Sequence, residues 1–513
     1  MTKPVVVWME FAACSGCGVS FMDNECQAEE VLEKIDLKFA TMLVDGREIP
    51  EKIDLTIVEG GIAVTKKDLK LVKMLRERSK TLIALGACAE NSGVLHFTEG
   101  NQMPMPELDS FLPLHDVVEV DYVIPGCPPA PKGILKFLDA FLRGDTAYLE
   151  PFNLIIDKCE GKIRNIVQQG LCMSCGTCGA TCPTHAISFV EGKPVIKDEM
   201  CIMCGECYFQ CPRSFFRFTD KTEFITERSV QNSVIGPYIS THALRASDSK
   251  IRKRAQSGGV VTSLLSYALD NHYLDGAIVA SDGINNWEGL PTIVKSSEEL
   301  LKSSGTKYSV CPLLTSMRDA LTTEGISRLG IVGLPCQQQA VQKIIDYPVG
   351  IRQASSKIAL RLGLFCTSNF RYNAMKKMIE EVAGVRPADV TKIDVGAKSF
   401  IINTVTREEI VVPINTVHKY EQESCKVCPD FSSEYCDISI GSVGAPNNWS
   451  AVITRSELGA KLIEEAIRDG YLEKDDNVNA DLNLIEKLAT MKKKRANKAI
   501  DWRKNNNLLV PFI

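Results

Sequence analysis

Two runs of cysteine constrain this chain more than any other feature. Residues 171–183 read LCMSCGTCGATCP, and residues 201–212 read CIMCGECYFQCP. Each run is C-x2-C-x2-C-x3-C-P, the spacing at which thiolates enclose two [4Fe–4S] clusters, with the fourth cysteine of each run serving the other cluster. One set is therefore expected to be Cys172, Cys175, Cys178 and Cys211. The other is Cys201, Cys204, Cys207 and Cys182. Pro183 and Pro212 turn the chain away after each fourth ligand.

A chain of 513 residues has room for three or so domains, at roughly 150 residues each. Its net charge of −5 and apolar share of 45% give no reason to expect nucleic acid as a partner. The start, MTKPVVVWMEF, lacks the basic region and cleavage motif of a signal peptide. No apolar run approaches the roughly 18 residues that a membrane span requires, so the expected location is the cytoplasm. The 20 cysteines fall largely in C-x2-C pairs of a long, signal-free chain, which argues for thiolate ligation in a reducing compartment, not disulfides.

In the first 150 residues, VVVWMEF, LKFATMLV, LTIVEGG, TLIALGAC and VVEVDYVIPGC read as buried strands. Amphipathic helical patterns over 26–35, 66–79 and 131–143 separate most of them. That alternation predicts a doubly wound α/β unit with a mainly parallel sheet. Ligands of such folds bind outside the carboxyl ends of the strands. Cys14 and Cys17 follow the first strand, Cys88 ends the fourth and Cys127 ends the fifth. These four are expected to converge, and the Fe–S runs downstream favour a [4Fe–4S] cluster there over zinc. Cys26 lies on a helical face and reads as packing; Cys159 reads as a free thiol.

CSGC, GREIPE, IVEGG, ALGACA, GNQMPMPELDSFLPL and IPGCPPAP resemble the small (γ) subunit of coenzyme F420-reducing [NiFe]-hydrogenases. The resemblance takes in the ferredoxin-type segment and covers essentially all of 1–220. It implies a flavodoxin-like domain that holds the cluster proximal to the active site on Cys14, Cys17, Cys88 and Cys127. It also implies that the Ni–Fe centre belongs to a separate large subunit, so that this chain receives electrons.

From Gly236 the composition shifts. RKRAQSGGVVTSLLSYALDN places Ser257, Gly258 and Gly259 ahead of an amphipathic helix carrying Thr262, a pattern that lets backbone N–H groups approach a phosphate. KSSGTKYSV adds Ser304, Thr306, Lys307 and Tyr308, and DISIGSVGAP adds Ser442 and Gly444. LGIVGLPC and IALRLGLFC end two strands at Cys336 and Cys366, and ESCKVCPDF contributes Cys425 and Cys428. Strand-end cysteines plus a C-x2-C pair suggest a fourth [4Fe–4S] cluster, with Cys436 able to substitute for one ligand. Cys311 reads as packing.

SGGVVTSLLSYALDN, SSGTKYS, GLPCQ, GLFC, YEQESCKVC and GSVGAPNNWSAVITR resemble the β subunit of the same hydrogenases, an iron–sulfur flavoprotein that reduces F420. The resemblance implies FAD, one cluster on Cys336, Cys366, Cys425 and Cys428, and F420 as substrate. In that family a small residue usually stands where this chain has Cys436.

The expected division is thus a small-subunit-like domain at 1–150, a two-cluster ferredoxin domain at 151–225 and a flavoprotein domain of α+β type at 236–513. Electrons would pass from a catalytic metalloenzyme through four clusters to FAD, and as hydride to F420. The expected partner is a hydrogenase large subunit within a hetero-oligomer. A CO dehydrogenase, formate dehydrogenase or formylmethanofuran dehydrogenase is the alternative donor, and a flavin-free docking subunit the alternative role. The six histidines are scattered, and hydride transfer between two bound rings needs alignment more than a general base, so no catalytic side chain is expected.

Overall fold

The computed structural model describes residues 3–41, 43–44, 48–97, 111–154, 162–218, 224–283, 285, 287–351, 354–395, 399–406 and 408–511. Cys159, part of GREIPE and most of GNQMPMPELDSFLPL lie outside them. The protein is a mixed α/β structure. Its first sheet is built from β1 (Val5–Glu10), β2 (Asp36–Ala40), β3 (Ile53–Glu59), β4 (Ser79–Leu85) and β5 (Tyr122–Ile124), in the order β2-β1-β3-β4-β5. Every pairing is parallel. Strands buried on both faces need near-continuous apolar sequence, and β1 supplies VVVWME, of which Val6, Val7, Trp8 and Met9 are buried.

Helices Glu25–Lys34, Lys66–Arg78 and Pro131–Arg143 run between or after these strands. The last begins with proline at its first turn and ends on Gly144 at φ 69°, a start and a stop that suit those two residues. Its buried face, including Ile134, Phe137 and Leu138, joins Phe152 and the strands in one core. Phe137 meets Phe152 edge to face at 4.8 Å, a geometry aromatic pairs favour.

A second, eight-stranded sheet occupies the C-terminal half. In chain order its strands are β6 (Ser240–Ala246), β7 (Gly276–Asp282), β8 (Gly289–Val294), β9 (Leu329–Gly333), β10 (Ile358–Leu364), β11 (Ile438–Gly441), β12 (Ser450–Thr454) and β13 (Leu472–Lys474). They lie in the order β8-β7-β9-β10-β11-β12-β6-β13. The strands β7, β9, β10 and β11 are parallel, and the flanking pairs are antiparallel. A three-stranded antiparallel sheet, from Val390 to Pro413, packs beside it. The cysteine-rich segment lies between the two large sheets and carries its own hairpin, Ile187–Val190 with Lys193–Ile196.

One short segment joins all three parts. Tyr347 stacks on Tyr148 at 4.9 Å and meets Phe209 and Phe215 edge to face. Its carbonyl accepts from Gln210 Nε2 at 2.5 Å. Two residues on, the Val349 carbonyl accepts from the Ala130 N–H at 2.8 Å. The final helix, Leu482–Asn505, straps the other side: Arg495 donates to the Cys425 carbonyl and Arg503 to Gln169.

Gly133 sits in the joint. A Cβ there would lie 2.9 Å from the Pro348 carbonyl oxygen and 3.2 Å from the Val349 Cα. In an exposed helix, Gly→Ala gains up to about 1 kcal/mol; forcing an atom into a packed contact costs about 1–3 kcal/mol. Gly133→Ala is therefore expected to lower the thermal unfolding midpoint, against helix propensity. A raised midpoint in anaerobic calorimetry would show that the joint yields.

Candidate metal centres and flavin loops

The strand order places Cys14 just past β1, Cys88 just past β4 and Cys127 just past β5, all at one edge of the first sheet. Burial pushes the Cys17 thiol upward, and Glu59, Cys88, Cys127 and Cys14 push it further as neighbouring charges. Cys88 is driven up to about 11 by burial, then by Cys127 and Cys14. The four thiols therefore share one neighbourhood, although among the described residues no three His, Cys, Asp or Glu side chains close into a metal site as they stand. Two glycines make room for them: a Cβ on Gly86 (φ +80°) would lie 2.5 Å from Cys17 Sγ, and one on Gly16 would lie 3.1 Å from Cys14 Sγ. Glu59 lies beneath the loop, accepting from the Cys17 and Gly18 N–H groups at 3.1 Å each and from Trp8 Nε1 at 3.3 Å.

In the cysteine-rich segment, Cys178 feels Cys175, Cys172, Cys207 and Cys211. Cys211, of the second run, is pushed up to about 12 by burial and next by Cys175 of the first. Cys207 is likewise pushed to about 12 by burial, with Cys182 the strongest charge acting on it after that, then Cys201. Each fourth cysteine therefore lies among the thiols of the other run. Ala186 N–H points at Cys182 Sγ (3.3 Å), the kind of hydrogen bond that cluster sulfurs accept.

Cys336 opens the helix after β9, and Cys366 lies two residues beyond β10, so both stand at the carboxyl ends of adjacent parallel strands. Cys336 feels Cys428, Cys366 and Cys425, and all four line one narrow enclosed space with Arg213, Asn369, Gln422 and Lys492. The Asn369 N–H points at Cys425 Sγ (3.4 Å). Cys436 lies elsewhere: its Sγ donates to the Ser433 carbonyl at 3.1 Å and approaches Ser439 Oγ at 3.3 Å. Cys311 is buried, as expected, whereas Cys26 is exposed; it lines a cleft beside the first quartet instead of packing, because its helix faces that opening.

The donor chemistry of all four sets suits iron. Thiols this crowded resist ionising one another, and a bound cation reverses that, since a coordinating thiol loses its proton outright.

Sequence reasoning missed the buried charges among these sets. Glu206 accepts from the Cys127 N–H at 3.1 Å and is a neighbouring charge to Cys204 and Cys207; burial raises it to about 8. Arg213, fully buried, acts on both Cys175 and Cys336. Lys193 donates to the Cys172 carbonyl and to Gln422. Lys343 donates to the Cys211 and Phe215 carbonyls and to Ser214 Oγ. Lys492 donates to the Cys366 carbonyl at 2.5 Å. Its position inside MKKKR resembles any solvated charge run.

Two of the three loops read as flavin contacts, those of Ser257 and of Ser304, approach one another. Ser257 Oγ meets Ser450 Oγ at 2.9 Å, and the Gly258 N–H donates to the same oxygen at 3.1 Å. Gly259 (φ 79°) caps the helix Val260–Asp270, on which Thr262 is buried. Arg254 donates to the Leu301 carbonyl at 3.2 Å, which ties this loop to the one bearing Ser304, Thr306 and Tyr308. Tyr308 Oη and Gln256 Nε2 both donate to the Ile393 carbonyl. Thr306 and Ser442 are exposed. Lys307 is engaged by its own loop, donating to the carbonyls of Ser303, Ser304 and Gly305 and pairing with Asp282 at 3.3 Å. Gly444 (φ +86°) packs against Ile485.

Four family descriptions match segments of the chain. They are "NADH ubiquinone oxidoreductase, 20 Kd subunit" over 14–141 and "4Fe-4S dicluster domain" over 164–212. Residues 241–318 and 326–479 match the N- and C-terminal parts of "Coenzyme F420 hydrogenase/dehydrogenase, beta subunit". The coenzyme F420 hydrogenase subunit beta of Methanococcus voltae is 39% identical over 279 residues, covering 54% of this chain and 99% of that protein. This chain belongs to the F420 hydrogenase/dehydrogenase beta-subunit family. It joins to that family part a region similar to the gamma subunit of the same hydrogenase, which is 37% identical over 210 residues, 37% of this chain and 86% of that subunit. A chain of the F420-reducing [NiFe] hydrogenase complex from Methanosarcina barkeri superposes with a TM-score of 0.53 at 34% identity, covering 55% of this chain and 98% of its own. This beta-family member is thus an iron–sulfur oxidoreductase component that combines beta-like and gamma-like parts.

The separation of Cys436 from the sulfur set gives a direct test. Cys425→Ser is expected to remove roughly one cluster's iron from the anaerobically reconstituted protein, and Cys436→Ser to leave iron unchanged. Equal losses in a colorimetric iron assay would return Cys436 to the ligand set.

Proposed function

We propose that this chain is a flavin-dependent coenzyme F420 reductase and electron-transfer subunit, with four [4Fe–4S] clusters and FAD. The ligand sets are Cys14/Cys17/Cys88/Cys127, Cys201/Cys204/Cys207/Cys182, Cys172/Cys175/Cys178/Cys211 and Cys336/Cys366/Cys425/Cys428, in order along the path. Residues 1–150 form the flavodoxin-like entry domain, 151–225 the two-cluster domain and 236–513 the F420-reducing domain. The reduced thiols this requires suit the cytoplasm.

The observation that carries this reading is that each sulfur set is linked to the next, by a shared charged side chain or, between the two ferredoxin-type sets, by thiols that act directly on one another. Glu206 faces Cys127 on one side and Cys204 and Cys207 on the other. Cys178 stands beside Cys207. Arg213 acts on Cys175 and Cys336, and Lys193 on Cys172 and Cys425. Bound FAD supplies the exchange between single electrons and hydride that the thiolates lack. The residues of the SGG, KSSGTKYS and GSVGAP loops hold it and orient it, through backbone N–H groups and hydroxyls more than through Lys307.

The entry end carries a cleft of about 560 Å³, lined by Trp8, Glu10, Val19, Met22 and Glu59. Val19 is 51% exposed there, next to the exposed Cys14. Such a surface suits a catalytic partner, and the relatives' place in a [NiFe]-hydrogenase complex favours a hydrogenase large subunit within a hetero-oligomer.

Anaerobic purification from the native source, with the associated subunit identified, tests the reading. F420 reduction by hydrogen is expected, followed by loss of F420 absorbance, with FAD released on denaturation. Reduction by CO or formate alone would keep the wiring and replace the partner. A flavin-free protein inert with every donor would leave only a docking role.

A further inference from the structure

The buried charges around the sulfur sets are not evenly distributed. Glu59 and Glu90 are buried at the entry end, beside Cys17 and Cys204. Glu206 joins them, with Arg318 as the opposing charge acting on it. Toward the flavin end the charges that act on the thiols are mainly cations. Arg213 acts on Cys175 and Cys336, and Lys343 on Cys211. Lys193, near Arg371, faces Cys172 and Cys425. Lys492 faces Cys428, Cys366 and Cys425, and Arg495 also acts on Cys366. The anions on that side are Asp430, facing Cys366 and Lys492, the buried Glu434 beside it, and Glu421, which pairs with Arg495.

We propose that Lys492, with Arg213 and Lys193, holds the Cys336/Cys366/Cys425/Cys428 cluster at a higher reduction potential than the entry cluster, so that the flavin end is the electron sink. Each electron received makes such a centre one unit more negative, with no bond made or broken. A buried cation stabilises that added charge, and a buried carboxylate opposes it, more strongly where water is excluded. Lys492 is 6% exposed and anchored by its bond to the Cys366 carbonyl, so its ammonium stays beside the cluster in both redox states. These are positioning residues that set a potential without touching F420.

The inference rests on the proposed function for its cluster assignments, but its test needs neither F420 nor a partner. The reconstituted full chain is titrated with dithionite and mediators under EPR, and the Cys425→Ser protein identifies the signal of the terminal cluster. Lys492→Gln is expected to lower that midpoint by at least a tenfold change in the one-electron equilibrium, which is 59 mV. Lys492→Arg is expected to restore most of it, and the entry cluster should stay unmoved in both. An unchanged midpoint at full iron content, or an equal shift of every cluster, overturns the proposal. Should Lys492→Gln lose its cluster, Lys193→Gln on the partly exposed Lys193 decides. It is expected to lower the midpoint of the Cys172-set or terminal cluster by a smaller amount, and no movement of either would overturn the proposal. Failure to reduce F420 with these midpoints intact would count against the reductase reading alone.

Discussion

The constraint on which this structure turns is the mutual repulsion of thiolates in places that exclude water. Cys178, Cys207, Cys211, Cys336 and Cys425 are all driven upward, first by burial and then by one another. A protein that packs sulfur this way gains from the packing only what burying a small apolar group gives. The arrangement makes physical sense when a cation occupies each set, and then metal binding becomes part of folding. The glycines follow from it. Gly86 lacks a side chain because Cys17 Sγ occupies that space, and Gly176 because a Cβ would strike the Pro312 carbonyl at 2.5 Å.

The second consequence concerns rigidity. Electron exchange between centres depends on their separation, so the parts that carry them must not drift. Inter-domain contacts within a chain are often polar and mobile. Here the joint is aromatic and largely enclosed, with the buried Tyr347 among Phe152, Phe209, Phe215 and the half-buried Tyr148, and each such ring buried is worth about 1.5–3 kcal/mol. Backbone hydrogen bonds from Ala130 to Val349 and from Leu314 to Cys175 fix register as well as contact. Covalent fusion adds to this, because an intramolecular contact needs no partner concentration.

Much of the site was legible because its signals are local. C-x2-C-x2-C-x3-C-P is complete within a dozen residues, and a cysteine at the end of a predicted parallel strand has its destination set by topology. That is why Cys88 and Cys127, far apart in sequence, could be placed with Cys14 and Cys17. Cys436 could not be separated from Cys425 and Cys428, because spacing alone does not say which way a side chain turns after the pair. The fold reverses it toward Ser433 and Ser439. Lys307, read as a flavin contact, has a local setting the sequence does not announce: its ammonium is held by the carbonyls of its own loop and by Asp282.

The charges that tie one sulfur set to the next were not legible at all, and the reason is physical. Glu206, Arg213 and Lys492 are among the residue types least often buried, so a sequence reading assigns them to the surface. Burying them is costly unless a compensating charge waits inside. Their positions therefore carry information that their types do not. An arginine with no exposure between two groups of thiols is stable there when those groups are negative, as thiolates around iron are. The buried cations and the sulfur sets thus account for each other, and neither would be tolerated in this interior alone.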